Sequence, residues 1–282
     1  MLEQVTALII NWRTLDLTTR CVEGLLDRYS GLPIILVDNG SDDKRDSAGY
    51  IAMMAEMHPN ISVILNRSNR ADVGVPLPAV GIRECPYGLK RVFDTGPGIG
   101  APFLVESVVC EMLSGGNVGH GPALHQVLKL CRTPYLLALD SDCIVREGGF
   151  IERMLEPFQD ESVYAVGRMV FLNNRGVSLP PRTRKGDPHI HESVIMLDVG
   201  KYRGLMPYVH YGVPSLLNMP DATAKGYRLV HYDIGGADTA VHHLFRGSRK
   251  LHASMPNVRS IPIMPEVLLR DLKSEFIGGY FD

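Results

Sequence analysis

The feature that most constrains this chain is an alternation near its start. Short apolar runs, VTALIIN at 5–11, PIILVDNGSDD at 33–43 and ISVIL at 61–65, are separated by stretches with helical spacing. In LDLTTRCVEGLLDR (15–28), Leu15, Cys21, Val22, Leu25 and Leu26 share one helical stripe. SAGYIAMMAEMH (47–58) reads as a second helix. The apolar runs do not alternate with polar residues, which predicts strands buried on both faces. Strand, helix, strand, helix, strand at this spacing predicts a parallel sheet with right-handed crossovers.

The pattern breaks over residues 66–114, where VGVPLPAVG and DTGPGIGAP carry many Gly and Pro, and FLVESVVCEML (103–113) reads as a helix within an insertion. Order returns with GGNVGHGPALHQVLKLCR, a Gly-rich turn before a helix whose apolar face is Leu124, Val127, Leu128 and Cys131. YLLALDSD follows as a strand, GGFIERMLEPF as a helix, and VYAVGRMVFL, HESVIMLDV and GYRLVHYDI as further strands. The expected organisation is one domain over 1–282. Its first part, 1–158 with the 66–114 insertion, holds one ligand, and 159–282 is the acceptor-side half, whose less regular C-terminal part packs over one end of the sheet as a closing loop.

At 282 residues the chain can bury a core without staples. A hydrophobic content of 45% and a net charge of -2 are those of a soluble protein without a field that would bind nucleic acid unspecifically. Five cysteines without CxxC spacing fit free thiols better than a disulfide framework or a zinc site. No apolar run has the length of a membrane span or signal core, and the expected location is cytoplasmic.

In an open parallel sheet, ligands bind beyond the carboxyl ends of the strands. Polar clusters stand at the predicted ends: Asn11-Trp12-Arg13, Asp38-Asn39-Gly40-Ser41 and Asp140-Ser141-Asp142. One polar strand end is a turn, whereas several at parallel strand ends make a site. Carboxylates and Asn can bind ribose hydroxyls or a base N–H, and Trp12 either lies against a base or packs half-buried. Asp140 and Asp142 fit a hard cation, Mn²⁺ or Mg²⁺, which takes carboxylates together with substrate phosphates. If the strand persists past Asp140, the two carboxylates point the same way.

ALIINWRTLDLTTRCVEGLL, IILVDNGSDD, GGNVGHGPALHQVL and YLLALDSDCIV resemble, in order, the successive blocks of the family 2 glycosyltransferases, over about residues 4–158. The resemblance implies the GT-A fold, a mostly parallel α/β sheet flanked by helices, and transfer of a sugar from a nucleoside-diphosphate sugar to an acceptor hydroxyl, with inversion. A UDP-sugar is the favoured donor. DSD matches the family's DxD metal motif and VDNGS its second-strand nucleotide motif. By position, the resemblance implies nucleotide-sugar contacts from Asn11, Arg13, Asp38, Asn39, Gly119, Asp140 and Ser141. It implies metal ligation by Asp140, Asp142 and His243, the last from HHLFRGSRK. Arg246 and Arg249, with Lys250, would close on the diphosphate.

The base that takes the acceptor proton is less legible. In the family it often lies in an ED-like pair before a GYR-like turn. GYRLV is present at 226–230, but HYGVPSLLNMPDATAK upstream holds no such pair. The candidates are Glu192 and Asp221, with His191 and His210 as outsiders. Two other readings stay open: a sugar nucleotidyltransferase, disfavoured because NWRTLD rather than a basic Gly-rich loop follows the first strand, and a non-catalytic nucleotide-binding module. The acceptor is unknown. Arg175, Arg182, Arg184 and Lys185 form a basic loop, so a nucleic-acid acceptor is a possible but not favoured partner beside saccharides, lipids and small molecules.

Overall fold

The computed structural model describes residues 2–41, 47–68, 82–83, 109–114, 120–172, 186–208, 214–234 and 237–244. In chain order these form β1 (Val5–Asn11), α1 (Leu15–Arg28), β2 (Ile34–Asp38), α2 (Ser47–Met57), β3 (Ile61–Ser68), β4 (Ile82–Arg83), β5 (Val109–Ser114), α3 (His120–Leu130), β6 (Tyr135–Asp140) and β7 (Cys143–Val145). There follow α4 (Phe150–Leu155), β8 (Val163–Leu172), β9 (Asp187–Asp198), α5 (Val199–Tyr202), α6 (Asn218–Ala224), β10 (Arg228–His231) and β11 (Val241–His243).

The main sheet has the order β10-β8-β9-β6-β1-β2-β3-β5-β4. The run β6-β1-β2-β3-β5 is parallel, and β9 enters antiparallel between β6 and β8. From β1 the chain steps outward through β2, β3 and β5, then returns to the opposite side of β1 as β6. That reversal is the switch point at which an open α/β sheet leaves a crevice for ligands.

Every residue of β1 is buried. Val5, Ala7 and Ile9 pack with Cys21, Val22 and Leu25 of α1 and with α2 and α4. Leu8 and Ile10 pack on the other face with Leu124, Val127 and Leu128 of α3 and with α5 and α6. The unbroken apolar runs therefore do what their composition predicts, burying both faces of central strands between two helical layers.

Two local expectations are corrected. Residues 109–114 are not helical: they form β5, paired parallel to β3, so the end of the insertion extends the sheet. The β-branched Val109 and the room at an open sheet edge favour this over the helical reading of a short apolar run. The strand also does not persist past Asp140. Ser141 and Asp142 form a turn, and the chain restarts as β7, which pairs antiparallel with β11.

One irregularity matters for the site. Between the pairs Gly167↔Ile195 and Met169↔Ile190, a single residue intervenes on β8 and the four residues 191–194 on β9. β9 therefore bulges at His191, Glu192 and Ser193, beside the end of β6. Bulges of this kind re-aim side chains out of the ladder.

Candidate metal and nucleotide site

At the carboxyl ends of β6, β1 and β2, Asp140 lies in register with Ile10, and Asn11 with Asp38. The predicted polar clusters thus meet in space at the switch point.

The β1–β2 side is a closed network. Asn11 is fully buried. Its Nδ2 donates to Asp38 Oδ1 at 2.8 Å and to Ser41 Oγ at 3.1 Å. Its Oδ1 accepts from Thr18 Oγ1 at 2.8 Å and from Thr14 Oγ1 at 3.2 Å. Both amide donors are engaged within the protein, so Asn11 orients its neighbours. The backbone N–H groups of Arg13 and Ser41 donate to Ser41 Oγ at 2.8 Å and Asp38 Oδ2 at 3.2 Å respectively. Arg13 adopts a left-handed φ of 58°, rare outside glycine, and its guanidinium lies 5.4 Å from the centre of the half-buried Trp12 ring. Asn39 is buried, and Asn39 N–H donates to Asn11 O at 2.8 Å. Thr14 Oγ1 meets Ser141 Oγ at 2.9 Å, which joins this network to the DSD turn.

The DSD side gathers three ligand-type side chains. His243 Nε2 is 2.9 Å from Asp142 Oδ1 and 3.4 Å from Asp140 Oδ2. One ligand atom from each of Asp140, Asp142 and His243 lies within 4.8 Å of the others. The turn, not strand alternation, brings the two carboxylates together, and the β7–β11 pair His243↔Cys143 delivers the histidine from a hundred residues downstream. Burial opposes charge on His243, but Asp140 and Asp142 outweigh it and raise its pKa to about 9. Burial likewise raises the Asp140 pKa, but hydrogen bonding to His243 and the nearby His120 hold it below the ordinary value. His120, the first residue of α3, has Nε2 4.0 Å from Asp140 Oδ1.

The base candidates separate clearly. Asp221, on α6, accepts from Met206 N–H at 2.9 Å and pairs with Lys225 at 3.1 Å, a structural role. Glu192 stands in the β9 bulge, and its Oε1 accepts from both the hydroxyl and the backbone N–H of the fully buried Ser215, the latter at 3.2 Å. His191 places its ring 6.2 Å from that of His243. Gly119, His210, Arg246 and Arg249 lie outside the described residues, as does the 175–185 basic loop. Thr14, Thr18, His120 and Ser215 had no signal beyond ordinary cap and turn composition. Cys21 and Cys143 are buried beneath the turn with thiol pKa values raised, first by burial, which suits packing rather than nucleophilic work.

Residues 107–209 match the family model described as glycosyl transferase family 2. The matched stretch contains β5, α3, the DSD turn, β8 and the β9 bulge, while Asn11, Asp38, Ser215 and His243 lie outside it. The mostly parallel sheet, with DSD at its switch point and helices on both faces, is the architecture that the sequence resemblance implies. Among solved structures, the mannosyltransferase PcManGT from Pyrobaculum calidifontis, in complex with GDP-Man and Mn²⁺, is similar at 12% identity and a TM-score of 0.49, over 83% of this chain. The chain spans 55% of the length of that mannosyltransferase. Glucosyl-3-phosphoglycerate synthase from Mycobacterium tuberculosis, in complex with Mn²⁺, UDP and phosphoglyceric acid, is similar at 15% identity and a TM-score of 0.46, over 82% of this chain and 70% of that one. No curated protein matches the chain. No described helix is long and apolar enough to cross a membrane.

Proposed function

We propose that the protein is a metal-dependent glycosyltransferase that moves a sugar from a nucleoside-diphosphate sugar to an acceptor hydroxyl, with inversion at the anomeric carbon. The observation that carries this reading is the convergence of Asp140, Asp142 and His243 at the switch point, next to the Asn11–Asp38 network. Two carboxylates and an imidazole on one small volume suit Mn²⁺ or Mg²⁺ with coordination positions left for phosphate oxygens. Asp140, Asp142 and His243 would hold such an ion, which when bound would supply positive charge against a departing diphosphate.

The chain's own residues supply the remainder. Asp38 and Asn39, fixed by Asn11 and Ser41, offer acceptors for base and ribose at the end of β2. Arg13 presents a guanidinium at the end of β1. Asp140, partly exposed between His120 and His243, faces both ribose and metal. Ser141, tied to Thr14, sets the turn that aims Asp142.

A thermal-denaturation panel of UDP-glucose, GDP-mannose and dTDP-glucose, each with and without Mn²⁺, tests the reading. A ligand that binds only the native state raises the melting temperature, by an amount equivalent to about 2.7 kcal/mol at a hundredfold excess over Kd. The expected result is a rise for at least one donor, a UDP-sugar first, that requires metal and is lost in Asp142→Ala. No rise with any donor under either condition would overturn the reading.

A further inference from the structure

Glu192 has an arrangement that a structural carboxylate does not need. It sits in the four-residue bulge of β9, where the ladder with β8 is interrupted. The last β6–β9 pair is Leu139↔Val194, so Glu192 lies just past the point where β6 ends in Asp140. The bulge is fastened to the DSD turn from below, because Cys143 Sγ donates to Ser193 O at 3.3 Å. It is fastened from the side by Ile190 N–H on Met219 Sδ at 3.0 Å. Its position relative to Asp142 and His243 is therefore set by short connections and not by a free loop.

The carboxylate itself is half-held. Oε1 takes both Ser215 donors, and Oε2 has no hydrogen bond among the described residues. Tyr208 lies behind it, its phenol pushed well above its ordinary value by burial, by Tyr164 and then by the Glu192 charge. One oxygen fixes the orientation and the other remains available on a half-buried carboxylate at the edge of the site.

The neighbouring candidates are disqualified by their own bonds. His191 Nδ1 accepts the Ser193 backbone N–H at 3.1 Å, which puts the ring proton on Nε2 and makes the outward nitrogen a donor. Asp221 is set apart by place and partner: it stands on α6, is ion-paired with Lys225 through Oδ2, and among the described residues makes no hydrogen bond to the bulge or the DSD turn. Resting on the transferase reading above, we infer that Glu192 is the general base and that Ser215 is the residue that positions it.

In the step, the acceptor O–H proton passes to Glu192 Oε2. The acceptor oxygen forms its bond to the anomeric carbon from the face opposite the leaving group. The bond between that carbon and the diphosphate oxygen breaks, and its electron pair leaves with the nucleoside diphosphate. Ser215 keeps Oε1 turned inward, so that the basic oxygen faces the acceptor. The segment that precedes α6 thus contributes hydrogen-bond donors, while the carboxylate comes from β9.

The test uses the full-length chain with Mn²⁺ and whichever of UDP-glucose, GDP-mannose or dTDP-glucose gives the largest thermal shift, with nucleoside-diphosphate release measured in water and with a panel of hydroxylated acceptors. Glu192→Gln is expected to keep the metal-dependent thermal shift and to lose at least a hundredfold in kcat, within the roughly 10²–10⁴-fold range of general-base catalysis. Ser215→Ala retains the backbone donor and is expected to lower kcat about tenfold with donor KM unchanged, a split that loss of folding would not produce. Glu192→Gln with wild-type turnover, or without the donor-induced shift, overturns the inference while leaving the transferase reading intact. A wild-type protein that binds donor but releases no nucleoside diphosphate under any condition overturns both the inference and the transferase reading. A wild-type protein that binds no donor sinks the transferase reading itself.

Discussion

Asn11 Nδ2 donates to Asp38 Oδ1 at 2.8 Å, between two buried side chains at the ends of adjacent parallel strands. Because the same Asn11 also accepts from Thr14 and Thr18, it links α1 to the β2 turn. Asn11→Ala takes one hydrogen-bond partner from the buried Asp38 carboxylate and from the hydroxyls of Thr14, Thr18 and Ser41. The expected loss is about 2–4 kcal/mol of stability, since an unsatisfied buried group costs more than the bond contributed. Thr18→Val removes one hydroxyl with little change in shape and should cost about 1 kcal/mol. Urea denaturation of the two variants checks the ranking, which reverses if Asn11 faces ligand alone.

His243 in the metal-free protein carries a proton up to about pH 9, because Asp140 and Asp142 overcome its burial. Its folded-state pKa is raised above the ordinary 6.5, so its contribution to stability is complete below about pH 6.5 and is lost as pH rises through 9. The melting temperature of metal-free protein should fall across this window, and His243→Gln should flatten the slope. Metal must displace that proton, so Mn²⁺ affinity should rise about tenfold per pH unit up to pH 9. Calorimetry at pH 7.5 in buffers of different ionisation enthalpy should register close to one proton released.

The central strands, their order of appearance and the polar stop at DSD were legible because each depends on local signals: unbroken apolar runs, polar strand ends and short spacing. The details that make the site were not. Convergence of Asp140 and Asp142 comes from a turn that ends β6, and the β7–β11 pair that brings His243 joins residues far apart in sequence. VTALIIN announces a buried strand, but nothing in it says that Asn11 spends its amide inside the fold. Glu192 reads as one acid in a strand, since a bulge is defined by the partner strand's register and not by its own residues. Residues 109–114 show the same limit from the other side. A run of that length is compatible with helix or strand until a neighbouring edge is available.

Arg153 secures the segment that carries His243. Its guanidinium donates to Asp238 Oδ2 at 2.8 Å and to Tyr232 OH at 2.9 Å, while Asp238 Oδ1 accepts Ala240 N–H at 2.9 Å. Arg146 N–H then donates to Ala240 O at 2.7 Å, just before β11 pairs with β7. An exposed ion pair is worth about 0–1 kcal/mol, so Asp238→Asn should hardly move the melting temperature. The metal site is more sensitive to position than the fold is. Mn²⁺ affinity, measured by titration calorimetry, should fall on the order of tenfold, the low end for supports beyond the ligands themselves.

Gly167 faces the bulge from β8. A Cβ there would lie 2.6 Å from Val194 O and 2.6 Å from Ile190 Cγ2. Backbone on one side cannot rotate away as a side chain can, so Gly167→Ala must push the 190–194 segment. Overpacking of this kind costs about 1–3 kcal/mol, and the displaced residues include Glu192. In the proposed function donor binding rests on Asp140, Asp142 and Asp38, which stand at the end of β6, in the turn after it and at the end of β2. Gly167→Ala should therefore lower kcat by more than tenfold while leaving donor KM within about twofold, since misplacement by about 1 Å can cost a hundredfold. Gly31→Ala, where a Cβ meets nothing within 4 Å, is the control and should leave both constants unchanged. Equal loss of donor affinity and turnover in Gly167→Ala would place the bulge in donor binding instead of proton transfer.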